Sequence, residues 1–189
     1  MRYYVMPFLY RTTTGAHRKT LEKMLCGFRD LDVLDIACGT GICERILDSS
    51  DKCTGLDISD EMLHKSSFLS EHRKIHFNPV KGDAVKLPFK DEAFDVVLCS
   101  LALHFMPDFR VSIREASRVL KKEGSFVCCC PVMQSGIILD SYWRYYYSKG
   151  RFYAPIFEKD LKETCVSCGL SYRRISKNGK LLYFTCENK

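Results

Sequence analysis

Short apolar runs rich in Val, Ile, Leu, Phe and Cys alternate along this chain with segments whose apolar residues recur every three or four positions. The runs predict strands at 32–38, 52–58, 74–80, 94–100 and 125–131. The longer periods predict helices at 16–28, 41–49, 60–70, 108–121 and 158–168. Leu21, Met24, Leu25 and Phe28 share one face of the first helix, Ser59 can cap the third, and Gly169 stops the last. Residues 140–150 are aromatic and read as helical. Strands that alternate with helices imply βαβ units and a parallel sheet. The last stretch differs, because 172–176 and 181–186 flank Asn178-Gly179, a hairpin turn. The expected fold is α/β: a doubly wound, seven-stranded, mostly parallel sheet with a C-terminal antiparallel hairpin strand.

Composition narrows the class. With 189 residues the chain is expected to form a single domain spanning 1–189, large enough to hold a core without disulfides or metal. A hydrophobic share of 46% against 28% charged residues excludes a disordered chain. The net charge of +6 permits an anionic partner without demanding nucleic acid, since no dense Lys/Arg tract occurs. The 11 cysteines are odd in number, and Cys128, Cys129 and Cys130 are consecutive in an apolar run. They read as reduced cysteines used as small hydrophobes, which points to the cytoplasm. No apolar stretch reaches membrane-spanning length, and the segment from Arg2 to Tyr10 lacks the cleavage site of a signal peptide and reads as mature protein.

The informative chemistry lies in Val33-Leu34-Asp35-Ile36-Ala37-Cys38-Gly39-Thr40-Gly41, an apolar strand running into a Gly-x-Gly turn. Glycines there let the backbone approach a ligand closely. Asp57 ends the next strand 22 residues after Asp35, placed to accept hydrogen bonds from ribose hydroxyls. A dinucleotide site would want glycine where Glu44 stands, and a carboxylate there opposes a pyrophosphate. A nucleoside cofactor without phosphates escapes that objection.

Four blocks, VLDIACGTG at 33–41, GLDIS with DEML at 55–63, GDAVKLPFKDEAFDVVLCSLALHFM at 82–106 and EASRVLKKEGSFV at 115–127, resemble the class I S-adenosylmethionine-dependent methyltransferases. Their wording is most similar to the small-molecule, ubiquinone/menaquinone-biosynthesis-like branch. The resemblance implies a Rossmann-like fold, S-adenosyl-L-methionine as cofactor and S-adenosyl-L-homocysteine as product. It divides the chain into an N-terminal arm and helix (1–30), a cofactor-binding core (31–131), an acceptor lid (132–157) and a closing helix and hairpin (158–189). It also assigns roles. Asp35, Ala37, Gly39 and Gly41 serve the methionine moiety, and Asp57 the ribose. Ile58 and Met62 pack on the adenine, while Asp83 and Ala84 meet its edge. Ser100 and Leu101 flank the methionine end, and His104 lies near the transferring methyl. Met62 as a core residue, Asp83 as a turn residue and Asp57 as a solvated strand end remain open readings.

Methyl transfer from a sulfonium is an in-line displacement, so a base is required only if the acceptor must lose a proton. His104 is the candidate, as acid/base, shaping or structural residue. Tyr10 in the arm, with Tyr3 and Tyr4, and Trp143, Arg144, Arg151 and Tyr153 in the lid are candidate acceptor residues, suited to a flat or anionic acceptor; ordinary packing is the alternative. Ser100-Leu101-Ala102-Leu103 stands where amino-methylases of bases carry an Asn/Asp-Pro-Pro-aromatic motif, so a small-molecule acceptor is expected before tRNA or other nucleic acid. A non-catalytic cofactor-binding or partner-activating subunit is the third reading. Cys130 as a nucleophile, converging thiolates for arsenite, the lone Cys165-x-x-Cys168 as a zinc site and His72 with His76 as a metal pair are all disfavoured, and no metal is expected. The oligomeric state is not legible.

Overall fold

A computed structural model describes residues 10–27, 29–41, 45–133, 144–145, 147–150, 153 and 155–189. Within them seven strands form one sheet: β1 (Asp32–Ile36), β2 (Lys52–Asp57), β3 (His76–Lys81), β4 (Phe94–Ser100), β5 (Leu120–Pro131), β6 (Leu170–Asn178) and β7 (Leu181–Asn188). Their order is β3-β2-β1-β4-β5-β7-β6. The first five pair in parallel, and β7 runs antiparallel to both β5 and β6. The helices are α1 (Thr14–Met24), α2 (Asp60–Arg73), α3 (Phe109–Val119) and α4 (Glu158–Ser167).

Alternation along the strands builds two cores. Leu34, Ile36, Val97, Cys99, Phe126, Cys128 and Phe184 face Phe109, Ile113 and Ala116 of α3 and Leu161 and Cys165 of α4. Val33, Val96, Leu98 and Val127 face the other way, toward Leu25, Leu47 and Ile75. On that same face Cys129, Leu181 and Tyr183 meet Tyr10 and Leu21.

Several boundaries move from their expected places. Thr13 caps α1 by accepting from Ala16 N at 3.1 Å, and Gly27 at φ +93 follows its end, so the helix stops short of residue 28. β1 ends at Ile36 because Ala37 takes φ +55. Of the helix expected over 41–49, residues 42–44 lie outside the described residues, Arg45 is 3₁₀-helical, and 46–50 form turns and bends. Two carboxylates dictate those turns. Asp48 accepts from Ser50 N at 3.1 Å, and Asp51 accepts from Asp48 N and Leu31 N, each at 3.1 Å. Helix α2 runs on to Arg73, where Lys74 at φ +55 ends it and delays β3 to His76. Helix α3 ends at Val119 because Leu120 is already extended and pairs with Phe94. Gly124 then lets the strand pass close to Asp95 O, where a Cβ would come within 2.9 Å. Arg144, Tyr145, Tyr147 and Ser148 are helical, within the expected 140–150.

The N-terminal arm is seated on the last hairpin. Lys180 N donates to Tyr10 O at 2.8 Å, and Gly179 at φ +60 lies so close to the carbonyls of Tyr10 and Arg11 that any Cβ would overlap them. No helix among the described residues is long and apolar enough to cross a membrane.

Ten cysteines are described and all are free thiols, eight of them buried. Burial pushes the Cys129 thiol up to about 12 and raises Cys128 well above its ordinary range. In native protein, exposed Cys26 should therefore react quickly with a thiol reagent, and Cys128, Cys129 and Cys130 only as the protein unfolds. Mass-spectrometric mapping of a labelling time course checks this; fast modification of those three in folded protein would contradict it.

Candidate active site

The strand order turns back at β1, which has β2 on one side and β4 on the other. Crossovers that leave in opposite directions open a crevice beyond the carboxyl ends of the strands. Here that crevice is a cavity of about 680 Å³ walled by the loops after β1, β2 and β4. The volume lies within the usual span for small-molecule sites, about 300–1,000 Å³.

The first loop is built from left-handed residues: Ala37, Gly39 and Gly41 have φ of +55, +57 and +74. Cys38 N donates to Leu56 O at 3.1 Å, which ties the loop to β2, and Gly41 N closes the turn on Cys38 O at 3.0 Å. A Cβ at Gly39 would meet only Ala37 O, at 3.9 Å, so a side chain there would stand in the cavity. Gly39 N instead donates to Asp57 Oδ2 at 2.9 Å, while Ser59 N donates to Oδ1 at 3.0 Å. Both carboxylate oxygens are thereby fixed, and each has capacity for a further donor. Ile58, 70% exposed, and Met62 continue this wall.

The opposite wall follows β4. Leu101, at φ +58, is held by its N–H donating to Cys129 O at 2.9 Å. Left-handed Ala37 and Leu101 thus sit at the ends of adjacent strands, each a conformation costing about 1–3 kcal/mol and typical of ligand sites. A single 3₁₀ turn, Leu103–Phe105, comes next. It turns His104 inward to 1% exposure and Phe105 outward to 53%.

His104, expected near the transferring methyl as an acid/base, shaping or structural residue, stands one side chain behind the cavity wall. His104 does not line the cavity; its Nε2 lies 3.1 Å from the Tyr10 hydroxyl, and Tyr10 lines the wall. Burial lowers the imidazole pKa to about 3, which keeps it neutral. Burial likewise raises the Tyr10 phenol.

Asp83 and Ala84 close the far end of the cavity. Asp83 Oδ1 accepts from Val85 N at 3.1 Å, so this carboxylate shapes its own turn as well as facing the cavity. The chain beyond is clamped from α3. Arg118 donates to the carbonyls of Leu87 at 3.1 Å and Phe89 at 2.9 Å, and Glu115 accepts from Leu87 N at 2.8 Å. The hydrogen bond from Arg118 holds the Glu115 carboxyl below its ordinary range.

Of the sequence-derived candidates, Tyr10, Ala37, Gly39, Asp57, Ile58, Met62, Asp83, Ala84, Ser100, Leu101 and Tyr153 line the cavity. Asp35 lies beneath it in β1, 1% exposed, and Gly41 serves the turn instead of the wall. Arg144 is exposed on its helical turn and is not a wall residue. Trp143 and Arg151 lie outside the described residues, as do Tyr3, Tyr4 and Glu44. Sequence reasoning passed over Phe105, Met106 and Pro107, which give the wall an apolar edge. Their signal was the short turn itself, whose three-residue period exposes the neighbour of a buried histidine. It also passed over His17, fully buried, whose Nε2 is 3.4 Å from Ser100 Oγ. Among the described residues no group of three or more His, Cys, Asp or Glu side chains gathers as a metal site.

A doubly wound sheet with a glycine-rich first loop and an acid ending the second strand defines the class of nucleoside-cofactor enzymes to which Rossmann-like methyltransferases belong. The methyltransferase domain family matches residues 34–128, half of the chain, and the chain belongs to that family. S-adenosylmethionine is the cofactor this membership implies. The demethylmenaquinone methyltransferase of Staphylococcus aureus (strain MRSA252) is 31% identical over 150 residues, covering 75% of this chain and 59% of that protein. That of Staphylococcus haemolyticus is 33% identical over 131 residues, covering 67% and 53%. The chain therefore spans a little over half the length of these curated relatives. The YcgJ protein of Bacillus subtilis shares the fold with a TM-score of 0.80 at 19% identity, covering 92% of this chain and 99% of that one. A geranyl diphosphate methyltransferase in complex with S-adenosylmethionine superimposes with a TM-score of 0.76 at 12% identity, covering 94% and 86%.

Two outcomes follow from the geometry. Asp57→Ala should weaken S-adenosylhomocysteine binding by about 1.5–3 kcal/mol, as for hydrogen bonds to a charged group. Calorimetry on the folded variant reads this, and unchanged affinity would remove the carboxylate from the site. The second concerns pH. An unfolded histidine titrates near 6.5, but His104 in the fold titrates at about 3. Between those values the unfolded chain binds a proton that the folded chain does not, so stability should rise with pH through that window. The slope from this group approaches about 1.4 kcal/mol per pH unit. Urea unfolding at several pH values should show that part of the slope vanish in His104→Phe.

Proposed function

We propose that this chain transfers a methyl group from S-adenosylmethionine to a small molecule with a flat, apolar ring. The observation that carries the reading is the charge of the crevice. Although the chain has a net charge of +6, the charged side chains among the described wall residues are the carboxylates of Asp57 and Asp83. Such a wall repels phosphates and favours a ligand bearing positive sulfonium and ammonium groups. The cofactor, when bound, supplies an already activated methyl on sulfur.

The chain's own residues do the rest. Asp57, fixed by Gly39 N and Ser59 N, accepts from the ribose hydroxyls. Ile58 and Met62 cover the adenine faces, and Asp83 with Ala84 meets its edge. Ala37, Gly39, Ser100 and Leu101 surround the methionine end, with Asp35 as a negative charge beneath. Phe105, Met106, Tyr10 and Tyr153 form the acceptor side, where aromatic faces hold a planar ring in line with the methyl and exclude water. Tyr153 is positioned by its N–H donating to His104 O at 3.4 Å. The curated relatives named for demethylmenaquinone support a ring of that kind. The open cavity speaks against a blocked, non-catalytic subunit, and the absence of Lys and Arg from the described wall speaks against nucleic acid. The free, buried thiols support a cytoplasmic setting.

The test separates the two halves of the site. Wild-type protein should bind S-adenosylhomocysteine and not NAD. In Phe105→Ala and Tyr153→Ala, S-adenosylhomocysteine affinity should stay within about 0.5 kcal/mol while methyl transfer to a short-chain demethylmenaquinol falls. Binding of NAD alone, or loss of cofactor binding with acceptor turnover spared, would refute the assignment.

A further inference from the structure

The acceptor side of the cavity is assembled from chain segments far apart in sequence, and they converge on one buried residue. Pro131 pairs with Leu181, so the turn of the last hairpin stands at the same end of the sheet as the cavity. Lys180 in that turn holds two segments through its backbone: its N–H donates to Tyr10 O at 2.8 Å, and its O accepts from Val132 N at 3.0 Å. Met133 N donates to Ile156 O at 2.8 Å, which brings the chain that leaves β5 back beside its point of departure. Tyr10 and Tyr153, the wall tyrosines that these segments carry, are both tied to His104. The imidazole Nε2 lies 3.1 Å from the Tyr10 hydroxyl, and the His104 carbonyl accepts from Tyr153 N at 3.4 Å.

His104 is placed to hold and not to react. It is 1% exposed and does not line the cavity. Its 3₁₀ turn follows β4 closely, and Leu103 beside it shares the core with Phe109 and Ile113 of α3, so the turn is anchored. The Tyr10 and His104 rings meet edge-on, with planes at 82° and centroids 6.0 Å apart, so hydroxyl and nitrogen join them instead of stacked faces. One hydrogen makes the bond whichever atom owns it. A phenol donates to a bare nitrogen as well as it accepts from a ring N–H, and in both cases the Tyr10 ring is held. With its pKa at about 3 the imidazole is uncharged near neutrality, and the bond is a neutral one.

We propose that His104 is a positioning residue for the methyl acceptor, acting through Tyr10, whose phenol it fixes at the cavity wall. The Tyr10 backbone is pinned to the hairpin turn and its hydroxyl to the end of β4. Since β5 lies between β4 and β7, the residue spans the carboxyl end of the sheet as a strut. The His104 carbonyl gives Tyr153 a second tie to the same turn. The proposal rests on the reading of the cavity given above for what Tyr10 touches, but not for the tie between arm and β4.

The test uses the full chain. His104→Phe removes the bond and keeps a ring, and it should raise the KM for a short-chain demethylmenaquinol about threefold to tenfold, the scale of one neutral hydrogen bond, with kcat little changed. Tyr10→Phe should do the same, and the double variant should be no worse than either, because both changes remove one interaction. His104→Gln, which can still bond the phenol, should recover most of the loss. S-adenosylhomocysteine affinity should keep its wild-type value throughout. A second readout needs no turnover. Hydrogen exchange at the Lys180 amide, bonded to Tyr10 O, should quicken in His104→Phe and Tyr10→Phe, while the Gly39 amide on Asp57 keeps its rate. Additive KM effects in the double variant, or a kcat loss at unchanged KM, overturn the proposal. So does unchanged exchange at Lys180. If wild-type protein binds no S-adenosylhomocysteine or turns over no demethylmenaquinol, the cofactor or acceptor reading fails instead, and the exchange result alone decides whether His104 holds Tyr10.

Discussion

Hydrogen bonding of β1 to β2 on one side and to β4 on the other is the constraint from which the site follows. Val33 is registered with Cys53 and Val96, and Asp35 with Gly55 and Leu98. Those ladders set the heights at which three strands end, and so the distance between the glycine loop, Asp57 and Ser100. Gly55 shows how little slack there is: a Cβ there would run into the Phe77 ring and reach Cys38 Sγ at 3.0 Å. A side chain in the middle of β2 would thus disturb the first residue that ties the glycine loop to that strand. The cavity is a consequence of strand order, and its chemistry comes from what the loops place at its edge.

The parts of this arrangement that were legible in sequence are those governed by local pattern. Buried parallel strands read as apolar runs, and Phe94–Ser100 has the same limits in sequence and structure. Asp57 was legible because strand end and spacing coincide. The errors fall where backbone conformation departs from what residue type announces. Ala37, Lys74 and Leu101 are left-handed without being glycine, and nothing in their side chains signals it. Asp48 and Asp51 bend a segment whose apolar period suggested a helix. Phe105 was passed over because a 3₁₀ turn presents neighbours differently from a longer helix. His17 was hidden for another reason. It stands beside Arg18 and Lys19 on an amphipathic helix, and its burial is decided by Tyr183, 166 positions away.

Charge illustrates the same separation of scales. The overall excess of basic residues describes the surface of the chain, whereas the crevice carries carboxylates. A reading from net charge alone would have pointed to an anionic ligand. Basic side chains are engaged away from the cavity: Arg118 with Glu115 and Asp91 and the carbonyls beneath them, and Lys121, at the amino ends of β1 and β4, with Asp95 at 2.9 Å. They clamp loops and strand starts, and in doing so leave the cavity to neutral and acidic groups.

The seating of Tyr10 on the Gly179 turn, and of His17 on Tyr183, has a consequence for how the protein is made. β1 and β2, with the loops that hold Asp57, can pair as soon as they have left the ribosome. The side of the cavity lined by Tyr10 cannot, because Tyr10 and His17 wait for a hairpin whose Tyr183 lies 166 positions after His17. At about 5–20 residues per second, that interval is roughly ten to thirty seconds of synthesis. During that time a nascent chain can own the glycine loop and Asp57 without the Tyr10 side of the cavity. Because β7 adds beside β5 and not beside β1 or β2, pairing around Asp57 leaves the edge of β5 open until the last strands emerge.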